Sequence, residues 1–275
     1  VVNQKGETML LLLLCGLICF YGEIYCRVEQ IFQPKVSIIT SVFKGDAYIE
    51  QFMEEIVKQT IFDQCELIMI NANSPGNEES VIASYMESYP NIVYMKLDKD
   101  PGLYGVWNIA IKMAHGEYII NANLDDGLAY DALEKFAKTL DEDSNIDLVY
   151  SDFYVTKKPH QNFYDLNGKN SVITDTEEFS YYNLRKSFYC MTNNHPMWRK
   201  SIHEKYGYFD ESYIAAGDCD MCARMALGGS QFKRVPGILG FWYVNPIGLS
   251  QKDHMGPREI KRIMELYPES LSDKL

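Results

Sequence analysis

The sequence predicts an α/β fold in which a mostly parallel central sheet is flanked by helices, followed by a C-terminal region of different character. Three observations predict it. From Pro34 to about residue 150, short apolar runs alternate with segments of helical period, as strands joined by crossover helices do. Right-handed crossovers would bring all those strands into one sheet. The 275 residues are 47% hydrophobic, enough to fill the core of one large domain or two small ones.

The first strand is 36–40 (VSIIT). Lys44, Gly45 and Asp46 then turn the chain, and Tyr48, Ile49, Phe52, Met53, Ile56 and Val57 form one apolar helical stripe. A strand at 66–70, a polar loop at 71–77, a helix carrying Val81, Ile82, Tyr85 and Met86, and a strand at 92–97 follow. Leu103, Val106, Trp107, Ala110, Ile111 and Ala114 make the next helix, closed by Gly116. The strand 117–122 runs straight into Asn123-Leu124-Asp125-Asp126-Gly127. A helix with Leu133, Phe136, Ala137 and Leu140 and a strand at 147–151 complete a nucleotide-binding half, residues 34–150. From 152 to about 190 the pattern fades into a polar, aromatic-rich stretch, which reads as a functional loop or lid. Helical pattern returns at 196–206 and 218–227, with strands at 231–235 and 238–244. Residues 251–275 read as a tail.

Residues 1–33 form a separate N-terminal apolar segment. Its run MLLLLLCGLICFY at 9–21 is shorter than the ~20 residues a helix needs to cross a bilayer. A short anchor with membrane association, a signal peptide and a packed leading helix all account for it. The formal charge of −12 argues against nucleic acid as a partner and against broad capture of anionic lipid. Seven scattered cysteines in a chain of this size read as reduced thiols, which points to the cytoplasm, with a place at the cytoplasmic face of a membrane if the N-terminal segment anchors it.

Two constellations carry chemistry. Asp125 and Asp126 follow a strand directly, at the carboxyl ends where open α/β sheets bind ligands. Adjacent carboxylates there suit Mg²⁺ or Mn²⁺, which takes one or two carboxylates plus substrate phosphates; the same residues also make an ordinary turn. Asp218 opens a helical pattern, either as its cap or as a general base. Asp220 and Arg224, four apart, read as an ion pair. The single CxxC at Cys219–Cys222 reads as helix packing, since a second ligand pair is missing. His195 reads as either structural or a contact to phosphate. A dehydrogenase is disfavoured because no G-x-G-x-x-G follows the first strand, and a sugar-1-phosphate nucleotidyltransferase because no Gly-rich basic loop does.

Three phrases occur in order: VSIITSVFKGDAYIEQFMEEIVKQTI, DPGLYGVWNIAIKMAHGEYIINANLDDG and HPMWRKSIHEKYGYFDESYIAAGDCDMCARMALGG. Through them the chain resembles a family 2 glycosyltransferase from Pro34 to about Ser250. The resemblance implies a GT-A type, Rossmann-like fold with a nucleotide-sugar-binding half at 34–150 and an acceptor-side, catalytic half at 151–250. It also implies an inverting, metal-assisted transfer from a UDP- or GDP-sugar to a glycan, lipid-linked or other hydroxyl acceptor. By position, Asp126 matches the metal ligand of the D-x-D motif, Asp125 its donor-facing neighbour and Asp218 the catalytic base. Thr40 matches the nucleoside pocket, while Gly102, Tyr104, Trp107 and Asn108 match a segment that borders the donor site. Two departures stand out: Asn71-Ala72-Asn73 replaces an acidic pair that holds the base, and Asn123 replaces the first acid of the extended motif. Asn71 can still hydrogen-bond a base edge. The alternative left open by those departures is a GT-A-fold nucleotide- or glycan-binding protein with impaired catalysis.

Overall fold

A computed structural model describes residues 32–174, 178–187, 192, 195–249, 251 and 255–267. The chain divides into a unit ending at Phe32 and a second unit spanning 33–275. The apolar run at 9–21 lies outside the described residues, and no helix among the described residues is long and apolar enough to cross a membrane.

Four parallel strands form one half of the sheet: β1 (Val36–Val42), β2 (Cys65–Asn71), β3 (Ile92–Lys96) and β4 (Tyr118–Asn121), in the order β3-β2-β1-β4. Helices α1 (Ile49–Ile56), α2 (Glu78–Met86) and α3 (Leu103–Met113) make the crossovers. β2 is buried at all seven positions, so helices cover both of its faces. Neighbouring side chains of β1 point to opposite faces. Val36, Ile38 and Val42 meet Ile49, Phe52, Met53 and Ile56 of α1 on one side, and Ile39 meets Val106, Trp107, Ala110 and Ile111 of α3 on the other. The buried Glu66 of β2 is satisfied by the Ser37 hydroxyl at 2.6 Å and the His115 and Gly116 backbone N–H groups at 2.5 and 3.2 Å. A side chain at Gly116 would stand 2.6 Å from the Ser37 nitrogen, so this crossing of strands requires glycine.

The remaining elements are β5 (Gly127–Leu128), α4 (Ala132–Glu142), β6 (Ile146–Thr156), β7 (Val172–Thr174), α5 (Tyr181–Ser187), β8 (Met197–Arg199), α6 (Ile202–Tyr206), α7 (Gly217–Leu227), β9 (Gln231–Tyr243) and α8 (Met255–Leu266). The sheet continues as β4-β8-β6-β9-β5, with β7 beside β6. β8 is antiparallel to both β4 and β6.

Four local features depart from the periodicity. Residues 197–199 are a strand and only 202–206 a helix, because Met197 and Trp198 fill the slot between β4 and β6. The two strands expected at 231–244 are one strand, β9, with a register irregularity against β6 and Gly237 in the left-handed region at φ +103°. Among the described residues of 152–190, β6 runs on to Thr156, a 3₁₀ turn spans Phe163–Asp165, and β7 and α5 follow. Residues 255–266, within the expected tail, are helix α8, whose Ile260 and Ile263 pack in the same core as Met221 and Met225 of α7.

Candidate active site

The segment after β4 holds the paired carboxylates, and the structure gives them different surroundings. Asp126 is buried, with a side chain 3% exposed. Its Oδ1 accepts the Tyr243 backbone N–H at 2.9 Å, and its Oδ2 accepts the Asn123 amide at 2.9 Å. It therefore fastens the loop to the end of β9. Asp125 is half-buried, and its Oδ2 accepts the Asn245 amide at 3.0 Å. Tyr48 stands beside it: burial first, then the proximity of Tyr243 and Asp125, raises the Tyr48 phenol above its ordinary range. Its ring stacks on His160 at 5.0 Å.

His195 lies behind this loop, 7% exposed. Its Nδ1 is 3.2 Å from the Asn121 carbonyl and its Nε2 is 4.0 Å from Asp126 Oδ2. Burial pushes its pKa down to about 4, partly offset by the carbonyls of Asn121 and Phe241. It is a neutral imidazole joining the ends of β4 and β9.

At the carboxyl ends of β1 and β2, Thr40 is fully buried two residues inside β1, and its hydroxyl has no protein hydrogen-bond partner among the described residues. Phe43, just past the strand end, is 41% exposed. The Lys44 ammonium lies 5.1 Å from the Phe43 ring centre. Asn71 is buried, its amide donating to the Tyr94 hydroxyl at 2.9 Å and its oxygen accepting the Ser74 N–H at 2.7 Å. One end of that amide is thus tied to β3 and the other to the β2–α2 loop. Glu78 binds this loop to the β1–α1 loop, accepting the Gly45 N–H at 2.6 Å and the Ser74 hydroxyl at 2.7 Å.

A third group brings α3 and α7 together. The Tyr104 hydroxyl donates to Asp218 Oδ1 at 3.2 Å, which also accepts the Cys219 N–H at 2.9 Å. Burial first, then the Asp218 charge, holds the Tyr104 phenol well above its ordinary range, while hydrogen bonds with the Gly217 and Asp218 backbone oppose that rise. The ring stacks on Phe209 at 5.7 Å and meets Trp107 edge-on at 5.4 Å. Asn108 exchanges two hydrogen bonds with the Phe209 backbone and gives a third to Glu211. Trp107 and Asn108 are therefore buried supports of the segment leading to Asp218.

The structure thus brings Asp125, Asp126 and His195 together at the end of β4, and joins Asp218 to Tyr104 at the start of α7. Thr40 and Asn71 lie inside or at the end of their strands. Four residues of the site went unselected in the sequence: Phe43, Tyr48, Tyr243 and Asn245. Phe43 directly follows a strand end only in the structure, where β1 runs on to Val42. Cys219 and Cys222 pack in the core around α7, and burial pushes the Cys65 thiol up to about 12.

Among the described residues, no group of three or more His, Cys, Asp or Glu side chains could hold a metal by itself. The donor set at Asp125-Asp126 is all oxygen, with one carboxylate partly open. That fits a hard divalent cation drawing its other ligands from a diphosphate and water.

Residues 37–207 match the model of glycosyl transferase family 2. An uncharacterized glycosyltransferase of Methanocaldococcus jannaschii is 26% identical over 208 residues, covering 74% of this chain and 69% of that protein. S. aureus TarS 1–349 in complex with UDP-GlcNAc superposes with a TM-score of 0.68 at 17% identity, covering 86% of this chain and 68% of that one. The chain spans 41% of the longer TarS chain. A Pyrobaculum calidifontis mannosyltransferase in complex with GDP-Man and Mn2+ gives a TM-score of 0.59 at 19% identity, covering 80% of this chain and 59% of that one. At such identities the likeness to the solved structures is one of fold, a GT-A-like α/β sheet. The match to the family model covers most of the chain, and on it the chain belongs to glycosyltransferase family 2, a family of sugar transferases.

Proposed function

We propose that the chain transfers a sugar from a nucleoside-diphosphate sugar to a hydroxyl of a glycan or lipid-linked acceptor, with inversion at the anomeric carbon. The observation that carries this reading is the division of labour between the paired carboxylates: Asp126 is buried and anchors the loop, and Asp125 is held partly open at the carboxyl end of β4. The sequence motif assigns the metal to Asp126. Asp125, the more exposed of the two, would share the Mn²⁺ or Mg²⁺ with it, since a carboxylate oxygen that accepts one N–H keeps a second lone pair. When bound, the cation supplies positive charge to the diphosphate leaving group.

The exposed Phe43 ring, with Lys44 above it, offers a flat apolar surface for the base. Tyr104 fixes one oxygen of Asp218. In the transfer, the acceptor oxygen forms a bond to the anomeric carbon as the bond to the diphosphate oxygen breaks. Asp218 takes the acceptor proton, and the electron pair leaves with the nucleotide. The buried Cys65, Cys219 and Cys222 thiols support work in a reducing compartment.

The test is calorimetric titration with UDP and GDP, each with and without Mn²⁺. We expect metal-dependent binding of one nucleotide, weakened roughly tenfold, about 1.4 kcal/mol, in Asp125→Ala at unchanged thermal stability. Asp126→Ala should also lose about 1–3 kcal/mol of stability, because it strands the Tyr243 N–H and the Asn123 amide. Absence of binding by folded protein overturns the donor assignment. Binding without donor turnover leaves a nucleotide-binding protein that has lost its catalysis.

A further inference from the structure

The segment that carries Asp218 into place is fastened from two sides. On the α3 side Asn108 holds Phe209. On the other, the Glu259 carboxylate of α8, 7% exposed, accepts three successive backbone N–H groups. Ile214 donates to Oε1 at 2.7 Å, and Ala215 and Ala216 donate to Oε2 at 2.8 and 2.9 Å. Burying a carboxylate is costly unless its oxygens are filled, and hydrogen bonds to a charged acceptor are of the stronger kind. Carboxylate and backbone therefore fix each other.

The position has a specific need for this. Ala216 is the N-cap of α7 and has no side chain with which to cap it. Glu259 supplies, from another helix, acceptors for the three N–H groups that lead into α7, and adds its charge to those of Asp218 and Asp220 in the first turn. α8 is itself held in place: the Tyr267 hydroxyl donates to Asp220 at 2.7 Å, and Arg185 donates to the carbonyls of Met264 and Tyr267, both at 2.9 Å.

We propose that Glu259 is a positioning residue for Asp218. By gripping residues 214–216 it sets the first turn of α7, and so makes docking of α8 a condition of transfer. The inference rests on the reading of Asp218 as the base.

The experiment uses the full chain with Glu259→Gln, Asp218→Asn, the double variant and Tyr267→Phe. Glutamine keeps the shape but sets an NH₂ group against N–H donors. Two readouts are taken: amide hydrogen exchange at 214–216, and nucleotide release from UDP-GlcNAc or GDP-mannose, to acceptor or water.

In Glu259→Gln we expect exchange at 214–216 to quicken at least about tenfold. Nucleotide affinity should stay within about twofold and turnover at saturating donor should fall roughly 10- to 100-fold. In the Asp218→Asn background the same change should add little, since residues acting through one group are not additive. Tyr267→Phe, which loosens α8 without touching Glu259, should give a smaller loss of turnover. Unchanged protection at 214–216 in folded Glu259→Gln overturns the proposal. So does unchanged turnover there when Asp218→Asn has collapsed it, or a full further loss in the double variant. If Glu259→Gln does not fold, intact turnover in Tyr267→Phe overturns it. Transfer surviving in Asp218→Asn overturns the base assignment instead, and the exchange data still decide whether Glu259 holds the segment.

Discussion

Single side chains in this protein are committed by their partners more than by their type. His203 shows how far. Its Nε2 accepts the Trp198 indole N–H at 3.0 Å, so the proton sits on Nδ1, 3.0 Å from the Gly207 carbonyl. Protonation would turn Nε2 into a donor facing a donor. Burial, first among the causes, pushes its pKa down to about 4 from 6.5. Between those values the unfolded chain binds the extra proton and the folded one does not, so stability is complete above pH 6.5 and declines as pH falls towards 4. At pH 5 the loss from this one residue is about 2 kcal/mol. Urea midpoints at pH 7.5 and 5.0 check it: His203→Gln should be less stable than wild type at pH 7.5 and lose less on acidification. An equal loss in both proteins would show that other groups carry the acid sensitivity.

At the scale of elements, the contact of α3 with α7 decides where Asp218 points, and two glycines serve it differently. A methyl group on Gly217 would stand 2.8–2.9 Å from three atoms of the Tyr104 ring, which is held by Phe209, Trp107 and its bond to Asp218 and has no room to retreat. Gly102 has φ +84° and open space around it. Gly217→Ala should therefore cost about 1–3 kcal/mol by overpacking and lower transfer. Gly102→Ala should cost about 1–3 kcal/mol from backbone strain alone, without the clash against Tyr104. Denaturant midpoints paired with turnover separate the two. Nothing near Gly217 in the sequence announces this contact. Helices α1 and α3 and strands β1 to β4 were legible because each carries its own period or apolar run. β8 was not, because three residues hold no period and Met197 and Trp198 are made strand by neighbours far along the chain. The same limit applies to the paired carboxylates. Their place after β4 could be read directly, yet which of them turns inward is decided by the Tyr243 N–H, 117 residues away.

On the scale of the whole molecule, the division into a donor half at 34–150 and an acceptor half at 151–250 describes composition, whereas the sheet is continuous across it. β6 begins in the first half, but the strands it pairs with, β7, β8 and β9, all come from the second. Trp198 of β8 lies opposite Leu148 on one side, and β9 pairs with β6 from Ile146 to Thr156 on the other. β4 likewise loses Met197 and Trp198 along its outer edge. A fragment of residues 34–150 would expose both edges of β6 and the outer edge of β4 and open the core where Trp198 packs against Ile39, Ile119 and Leu148. Removing a buried tryptophan side chain alone costs about 3–5 kcal/mol, a large part of the ~5–15 kcal/mol that holds a domain together. The fragment is therefore expected to unfold without a cooperative transition, whereas residues 33–275 unfold as one unit, as circular dichroism through a urea titration would record. A sharp transition in the fragment, with nucleotide affinity intact, would make the donor half an independent domain and would move the source of its stability from the continuous sheet to β1–β4 and their helices.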